Sequence, residues 1–477
     1  MIEEIIGRED EISQLQKVYE SQRPEFVAVY GRRRIGKTFL IDKLFAEKYD
    51  FYITGIYEGS KNQQLANFQH QLEHYSGCKC RRPKDWFEAF FALQDYLTHK
   101  LGQKRIIVFI DELPWLDTHR SGFIKAFELF WNEWASKHNE MMLIVCGSAT
   151  TWMTGKLIGN KGGLHNRVTS SIYLRPFNLK ETRKFFSSRG FRLSNQQVAD
   201  AYMVFGGTPF YLNMLQKSES IAQNIDRLFF GTDAPLRREY EFLFKSLFKE
   251  SMLYKKVVET LSQKAKGMTR QELLNEINNS DSGVLSTVLT DLCNCDFIRK
   301  YSAFGKKERD MMYQLTDLYS LFYLRFVKGY NGMDENYWSH RQMNISSWQG
   351  YAFEQLCLHH ISEIKRHLGI TGVLNHVCSM SWRKFTDGEG LEHDGGQIDL
   401  ILDRADNTIN ICEMKYCNKQ FAISKEYLEQ MNNRCESFRL LTNSKKTFNL
   451  TMITSNGLEH NERWNAIQNE IVLDDLF

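Results

Sequence analysis

Residues 26–38 read FVAVYGRRRIGKT, and this stretch decides the fold of the N-terminal part of the chain. Phe26 to Tyr30 is a β-branched and aromatic run that predicts a short buried strand. Gly31 and Gly36 bracket a basic loop of Arg32, Arg33, Arg34 and Ile35, and Lys37-Thr38 opens an apolar helix, FLIDKLF. Strand, Gly-x-x-x-x-Gly-Lys-Thr and helix, in that order, make a phosphate loop. The glycines let successive backbone N–H groups turn inward onto phosphate oxygens at the positive end of a helix dipole. Lys37 is expected to reach the β- and γ-phosphates, and the Thr38 hydroxyl to ligate Mg²⁺. The expected cofactors are therefore ATP and Mg²⁺.

Working outward, Ile106 to Ile110 predicts a second buried strand, ending in Asp111-Glu112. Acids at the C-terminal end of such a strand sit where parallel α/β sheets place ligands. Asp111 would hold Mg²⁺ through water, and Glu112 would orient the attacking water as general base. Two acids opening a solvent loop are the plain alternative. A third buried strand, Met141 onward, ends at Ser148, with Thr150 and Thr151 just beyond. Polar groups there can touch a γ-phosphate or the lytic water, or simply cap the strand. Arg167 precedes a short strand at Ser171 and could stabilise transition-state charge in cis or from a neighbouring subunit; a surface arginine is the bland reading. Asn178 and Glu181 form a capping-box pattern that starts a set of lid helices. A Gly206-Gly207-Thr208-Pro209 turn follows.

Arg8-Glu9, GRRRIGKT, IDELPWL, the GSATT strand end and Gly206-Gly207-Thr208-Pro209 resemble, in the same order, the motifs of the archaeal ATPase group. That group belongs to the STAND branch of AAA-like NTPases. The resemblance spans roughly residues 1–235 and implies that Arg8 lies near the nucleotide base, Pro209 near the adenine and Arg167 near the phosphates. Ser148 would act as sensor 1. ATPases of this kind are switches that control attached domains.

Composition bounds the rest. The chain has 477 residues, which predicts two to four domains. A net charge of +3 gives no global basic field, so any nucleic-acid surface must be local. The stretch MIEEIIGREDEIS is unlike a signal peptide, and no apolar run approaches the roughly 20 residues that span a bilayer. No Cys-x-x-Cys pair occurs among the ten cysteines, which favours reduced thiols in the cytoplasm.

After a charged helix at 236–250, three helical patterns and a two-stranded run predict a winged helix-turn-helix over 251–330. Its third helix has no Arg or Lys between 282 and 295, whereas the wing carries Arg299, Lys300, Lys306, Lys307 and Arg309. Nucleic-acid contact and a packing or relay role both remain open. Farther on, Gly396 to Arg404 and Thr408 to Tyr416 read as a hairpin joined by an Asp-Asn turn. Asp399, Glu413 and Lys415 on it resemble the Asp…Glu-x-Lys signature of PD-(D/E)XK nucleases. Two carboxylates would hold a divalent metal, and Lys415, two residues on and so on the same strand face as Glu413, would position the hydrolytic water. Glu354, on a preceding helix, looks like the additional metal-side acid of that fold. Chance charge alternation on an exposed hairpin is the alternative.

The expected architecture is thus an α/β multidomain chain: a P-loop core over 1–175, a helical lid over 176–250, a winged helix over 251–330 and a restriction-endonuclease-like domain over 335–477. The expected function is an ATP-hydrolysing switch coupled to a metal-dependent hydrolase of nucleic acid, DNA in the first instance. The alternative is an ATP-dependent DNA-binding regulator or adaptor with an inactive nuclease-like domain, and a nucleotide-gated scaffold is the third reading. A protein partner or homo-oligomer fits any of these; a membrane does not.

Overall fold

The computed structural model describes residues 5–102, 104–148, 150–159, 162–248, 250–278, 282–305, 311–332, 334–340 and 345–477. The chain divides into two compact units, one ending at Pro176 and the other running Phe177–Phe477.

The first unit is built on five parallel strands: β1 (Glu25–Tyr30), β2 (Tyr49–Thr54), β3 (Ile106–Asp111), β4 (Met141–Gly147) and β5 (Ser170–Tyr173). Their order in the sheet is β2-β3-β4-β1-β5, with every neighbouring pair parallel. β3 and β4 are buried along their whole length, as a sheet covered on both faces requires. One face packs on helices Lys61–Ser76 and Trp86–Thr98 through a large aromatic core, and the other on helices Glu9–Glu20 and Lys37–Phe45. From β1 the chain crosses to β2 at the far edge, while β5 joins the opposite side. The loop after β1 therefore opens over the crevice where strand order reverses.

In the second unit, helix Leu179–Ser188 starts with the expected capping box at Asn178, and helix Asn195–Phe205 with a further one at Ser194. Three helices, Ser251–Ser262, Arg270–Glu276 and Ser282–Asn294, accompany an antiparallel sheet ordered β6 (Met268–Thr269), β8 (Met312–Leu315), β7 (Ile298–Tyr301). Strand β6 is too short to leave a sequence pattern. Of the basic wing turn, Lys306, Lys307 and Arg309 lie outside the described residues.

The C-terminal part has strands β9 (Asn375–Trp382), β12 (Gly396–Arg404), β13 (Thr408–Lys415), β14 (Thr447–Thr454) and β15 (Asn469–Val472), with a small pair β10 (Phe385–Thr386) and β11 (Glu392–His393) beside them. The order is β15-β14-β13-β12-β9, mixed: β13, β14 and β15 run parallel, while β12 is antiparallel to both β13 and β9. After β13 a long helix runs Lys425–Thr442. Its start is set by Ser424, whose side chain accepts from the Tyr427 N–H, and Phe421 forms a β-bridge with Leu458. All ten cysteines are free thiols. Among the described residues, no helix is long and apolar enough to cross a membrane.

Phe90 stands at the centre of the first unit's aromatic core, against Phe68, Trp86, Phe123, Phe127 and Phe130. Phe90→Ala should cost that unit about 3–5 kcal/mol in urea unfolding, and the exposed neighbour Phe91→Ala less than about 0.5 kcal/mol.

Candidate functional site

The phosphate loop is shaped by contacts that leave little choice of residue. Gly31 has φ 146°, and a Cβ there would lie 2.2 Å from the Leu174 carbonyl oxygen. Gly36, at φ 89°, has open space where a Cβ would stand, and directly precedes helix Lys37–Phe45. Ile35 anchors the loop in the core. Arg8 is buried in a left-handed turn and clamps the loop from outside, its guanidinium donating to the Arg175 carbonyl at 2.7 Å and to that of Ile35 at 3.5 Å. Arg32 is buried, while Arg33 and Arg34 are half-buried, Arg34 at φ 72°.

Inside this frame the charged side chains answer one another. The Lys37 ammonium is buried and donates to the carbonyls of Gly31 at 3.0 Å and Arg32 at 2.9 Å. Burial lowers its pKa. Thr38 donates its hydroxyl hydrogen bond to Asp111 at 2.8 Å. Burial, with the Glu112 charge adding to it, raises the Asp111 carboxyl to about 6. Glu112 sits at φ 45° and accepts from both the backbone N–H (3.1 Å) and the hydroxyl (2.8 Å) of Ser148. The Walker-type acids and the strand-end serine therefore meet, although they come from separate strands. The buried Thr150 and Thr151 hydroxyls have no hydrogen-bond partner among the described residues. Arg167 lies in a turn before β5 with its side chain exposed, and Pro209 opens the short helix Pro209–Leu212 of the second unit.

The second cluster of acids lies in the C-terminal sheet. Leu400 pairs with Cys412, so one step further sets Asp399 across from Glu413. The β12–β9 register shifts between Ile398 and Ile401, placing Asp399 in a bulge, a device that re-aims a side chain. Glu354, on helix Ser346–His359, lines one cavity together with Asp399. Burial, helped by the charges of Asp399 and Glu413, pushes Glu354 up to about 8. Burial likewise raises Asp399, whose carboxylate accepts from Gln397.

Glu413 is held by Lys415, expected beside it, and by two groups that a sequence reading does not supply, Tyr427 and Arg434. Lys415 Nζ lies 2.8 Å from it, Arg434 reaches both its oxygens at 3.2 and 3.0 Å, and the Tyr427 hydroxyl donates at 3.2 Å. Tyr427 and Arg434 are seven residues apart on one helix; that spacing is the only hint in the sequence. Gln355 also lines the cavity, and both polar atoms of its buried amide lack a hydrogen-bond partner among the described residues. The three acids offer the oxygen donors a hard divalent cation prefers. Yet among the described residues no group of three or more His, Cys, Asp or Glu side chains is arranged to hold a metal. Glu413 is given instead to Lys415 and Arg434.

The first unit's fold and loop define a P-loop nucleotide-hydrolase module. Residues 5–215 match the family model described as an ATPase domain predominantly from Archaea. The chain is similar to the uncharacterized protein MJECL04 of Methanocaldococcus jannaschii, 25% identical over 420 residues, covering 86% of this chain and 87% of that one. Among solved structures it is similar to the Walker-type ATPase PABY2304 of Pyrococcus abyssi, at 17% identity and TM-score 0.49, over 67% of this chain and 96% of that one. A STAND protein with a tetratricopeptide repeat sensor, PH0952 of Pyrococcus horikoshii, matches at 17% identity and TM-score 0.31, over 77% and 50% respectively.

Arg8→Ala removes two charge-assisted contacts, one onto the Ile35 carbonyl of the loop and one onto the Arg175 carbonyl beyond β5. It should lower the first unit's unfolding free energy by about 1.5–3 kcal/mol in urea titration.

Proposed function

We propose that this chain is an ATP-hydrolysing switch coupled to a metal-dependent hydrolase of nucleic acid, with DNA as the first substrate to test. The observation that carries the hydrolase half is the convergence of Glu354, Asp399, Glu413 and Lys415 from one helix and two strands. Acids forced together in this way disfavour their own ionisation, which is a mark of functional sites.

On the ATPase side, Lys37 leaves its carbonyl partners for phosphate oxygens, and Ser148 orients Glu112 towards the lytic water. Thr38 and Asp111, already hydrogen-bonded to each other, offer oxygen donors that fit Mg²⁺ and would hold it. The chemistry such an ion would supply there is neutralisation of charge on the transferring phosphoryl group. Arg167 is assigned to that group as well, and Pro209 to the base.

On the hydrolase side, Asp399 and Glu413, with Glu354 behind them, would hold a divalent ion whose chemistry is to activate water and neutralise phosphate. Lys415 orients the water on the face it shares with Glu413. Coupling between the two halves is assigned to Tyr416. It follows Lys415 directly, donates to Asp200 at 2.6 Å and accepts from Gln196 at 2.6 Å, both on the helix Asn195–Phe205. A shift of that helix with nucleotide state would reach Lys415 through one residue.

The second reading, a DNA-binding regulator whose hydrolase-like part is inactive, is favoured by one observation: Glu413 is already neutralised by Lys415 and Arg434. Incubation of the full chain with Mn²⁺ or Mg²⁺ and labelled DNA or RNA, with and without ATP, separates the two. Cleavage lost in both Asp399→Ala and Lys415→Ala supports the hydrolase; a salt-dependent mobility shift without cleavage supports the regulator. Lys37→Ala should abolish ATP turnover, and retained turnover would overturn the loop assignment. Tyr416→Phe should leave ATP turnover unchanged while making cleavage indifferent to ATP.

A further inference from the structure

The acid site is not open to a polymer. The cavity that Glu354 and Asp399 line is about 70 Å³, enough for a few waters. A site for a nucleotide-sized ligand is on the order of 300 Å³ or more. One wall comes from the C-terminal sheet and the helix Ser346–His359: Ser379, Ser381 and Gln355 beside the acids. The opposite wall comes from the three-stranded sheet: Arg299 and Tyr301 of β7, Met312 and Gln314 of β8. Strand alternation explains why Arg299, expected among the basic wing residues, faces this cavity while Lys300 is exposed. Burial lowers the Arg299 pKa, and the charges of Asp399 and Glu354 act against that shift, so the guanidinium lies within their field.

The contact is built rather than incidental. Ala303, just past β7, forms a parallel β-bridge with Ser379 of β9, and the Phe304 N–H donates to the Ser379 carbonyl at 2.8 Å. The Phe304 ring packs 4.9 Å from Phe438, against the hydrophobic core of the C-terminal sheet. On the far side, the Tyr351 hydroxyl, one turn before Glu354, donates to the Ala265 carbonyl at 3.1 Å. A backbone β-bridge, a ring in a core and a tyrosine strut thus hold the small sheet over the acids.

We propose that the β6-β8-β7 sheet is a cap that shuts the Glu354–Asp399 site, fastened by Ala303–Phe304 to β9, and that substrate reaches the acids only when this fastening releases. The proposal rests on the hydrolase reading for what the site does, but the cap itself is a matter of access and is tested separately. In the shut state Arg299 lies in the field of the acids from one side, while Arg434 and Lys415 satisfy Glu413 from the other. Release of the cap withdraws Arg299 and clears a path for a phosphodiester backbone, with the Gln355 amide ready to meet it.

Two variants test this in the full chain. Ala303→Cys with Ser379→Cys joins two bridged strand positions, whose Cα separation suits a disulfide. Phe304→Ala loosens the fastening. Labelled DNA with Mn²⁺ reads cleavage, and backbone hydrogen exchange reads opening without any reliance on activity. Expected are at least tenfold slower cleavage in the oxidised double-cysteine chain, recovery on reduction, and at least tenfold faster cleavage in Phe304→Ala. Exchange at β9 should rise in Phe304→Ala while β13 and β14 stay protected. Equal cleavage by oxidised and reduced chains would overturn the cap. If no form cleaves, the hydrolase reading fails, and exchange alone decides the cap: unchanged protection of β9 in Phe304→Ala sinks it, and selective deprotection upholds it.

Discussion

A buried ionised group must be met by hydrogen bonds or opposite charge, and that constraint shapes both charged sites of this chain. In the first unit Lys37 rests on the carbonyls of its own loop, Asp111 takes the Thr38 hydroxyl, and Glu112 takes two donors from Ser148. Under the proposed function these partners would stand in for the phosphate, metal and water of a nucleotide-bound site. Each is a hydrogen bond exchanged for another of similar strength, so the loop can pass between states at modest cost. The glycines and the Arg8 clamp keep the backbone in one shape while the side chains change partners.

The C-terminal cluster obeys the same rule with a different outcome. Burial raises the pKa of Glu354 and of Asp399, with the Glu413 charge adding to both shifts, while Glu413 itself is paired with Lys415 and Arg434. Under the proposed function the carboxylate would serve either these two cations or a divalent ion. The small sheet above the acids, with Arg299 on its inner side, adds a second element to that choice. The hydrogen bonds between Tyr416 and the helix Asn195–Phe205 put the same strand end in touch with a helix that lies within the matched ATPase region.

Much of this was legible from local pattern. The β1–loop–helix unit, the buried strands ending at Asp111 and Ser148, and the hairpin carrying Asp399 and Glu413 are encoded by short-range periodicity and turn residues, which do not depend on the rest of the chain. The start of the helix that supplies Tyr427 and Arg434 is less legible, because it depends on the Ser424 cap and on a β-bridge between Phe421 and the distant Leu458. Arg299 illustrates the opposite limit: alternation within a strand says that residues 299 and 301 share a face, but not which face looks inward.

By itself, the sequence determined which chemical groups are present and which of them share a strand or a loop, because backbone geometry ties i to i+2 and a Gly-rich turn to the helix behind it. Tertiary structure alone decided who neutralises whom. Ser148 on Glu112, Arg434 on Glu413, and the β7–β8 sheet over Glu354 and Asp399 join residues 20 to more than 80 positions apart. The reason is physical: pairing of buried charge is set by distance in space, and only packing of the sheets and helices brings those groups within hydrogen-bond range.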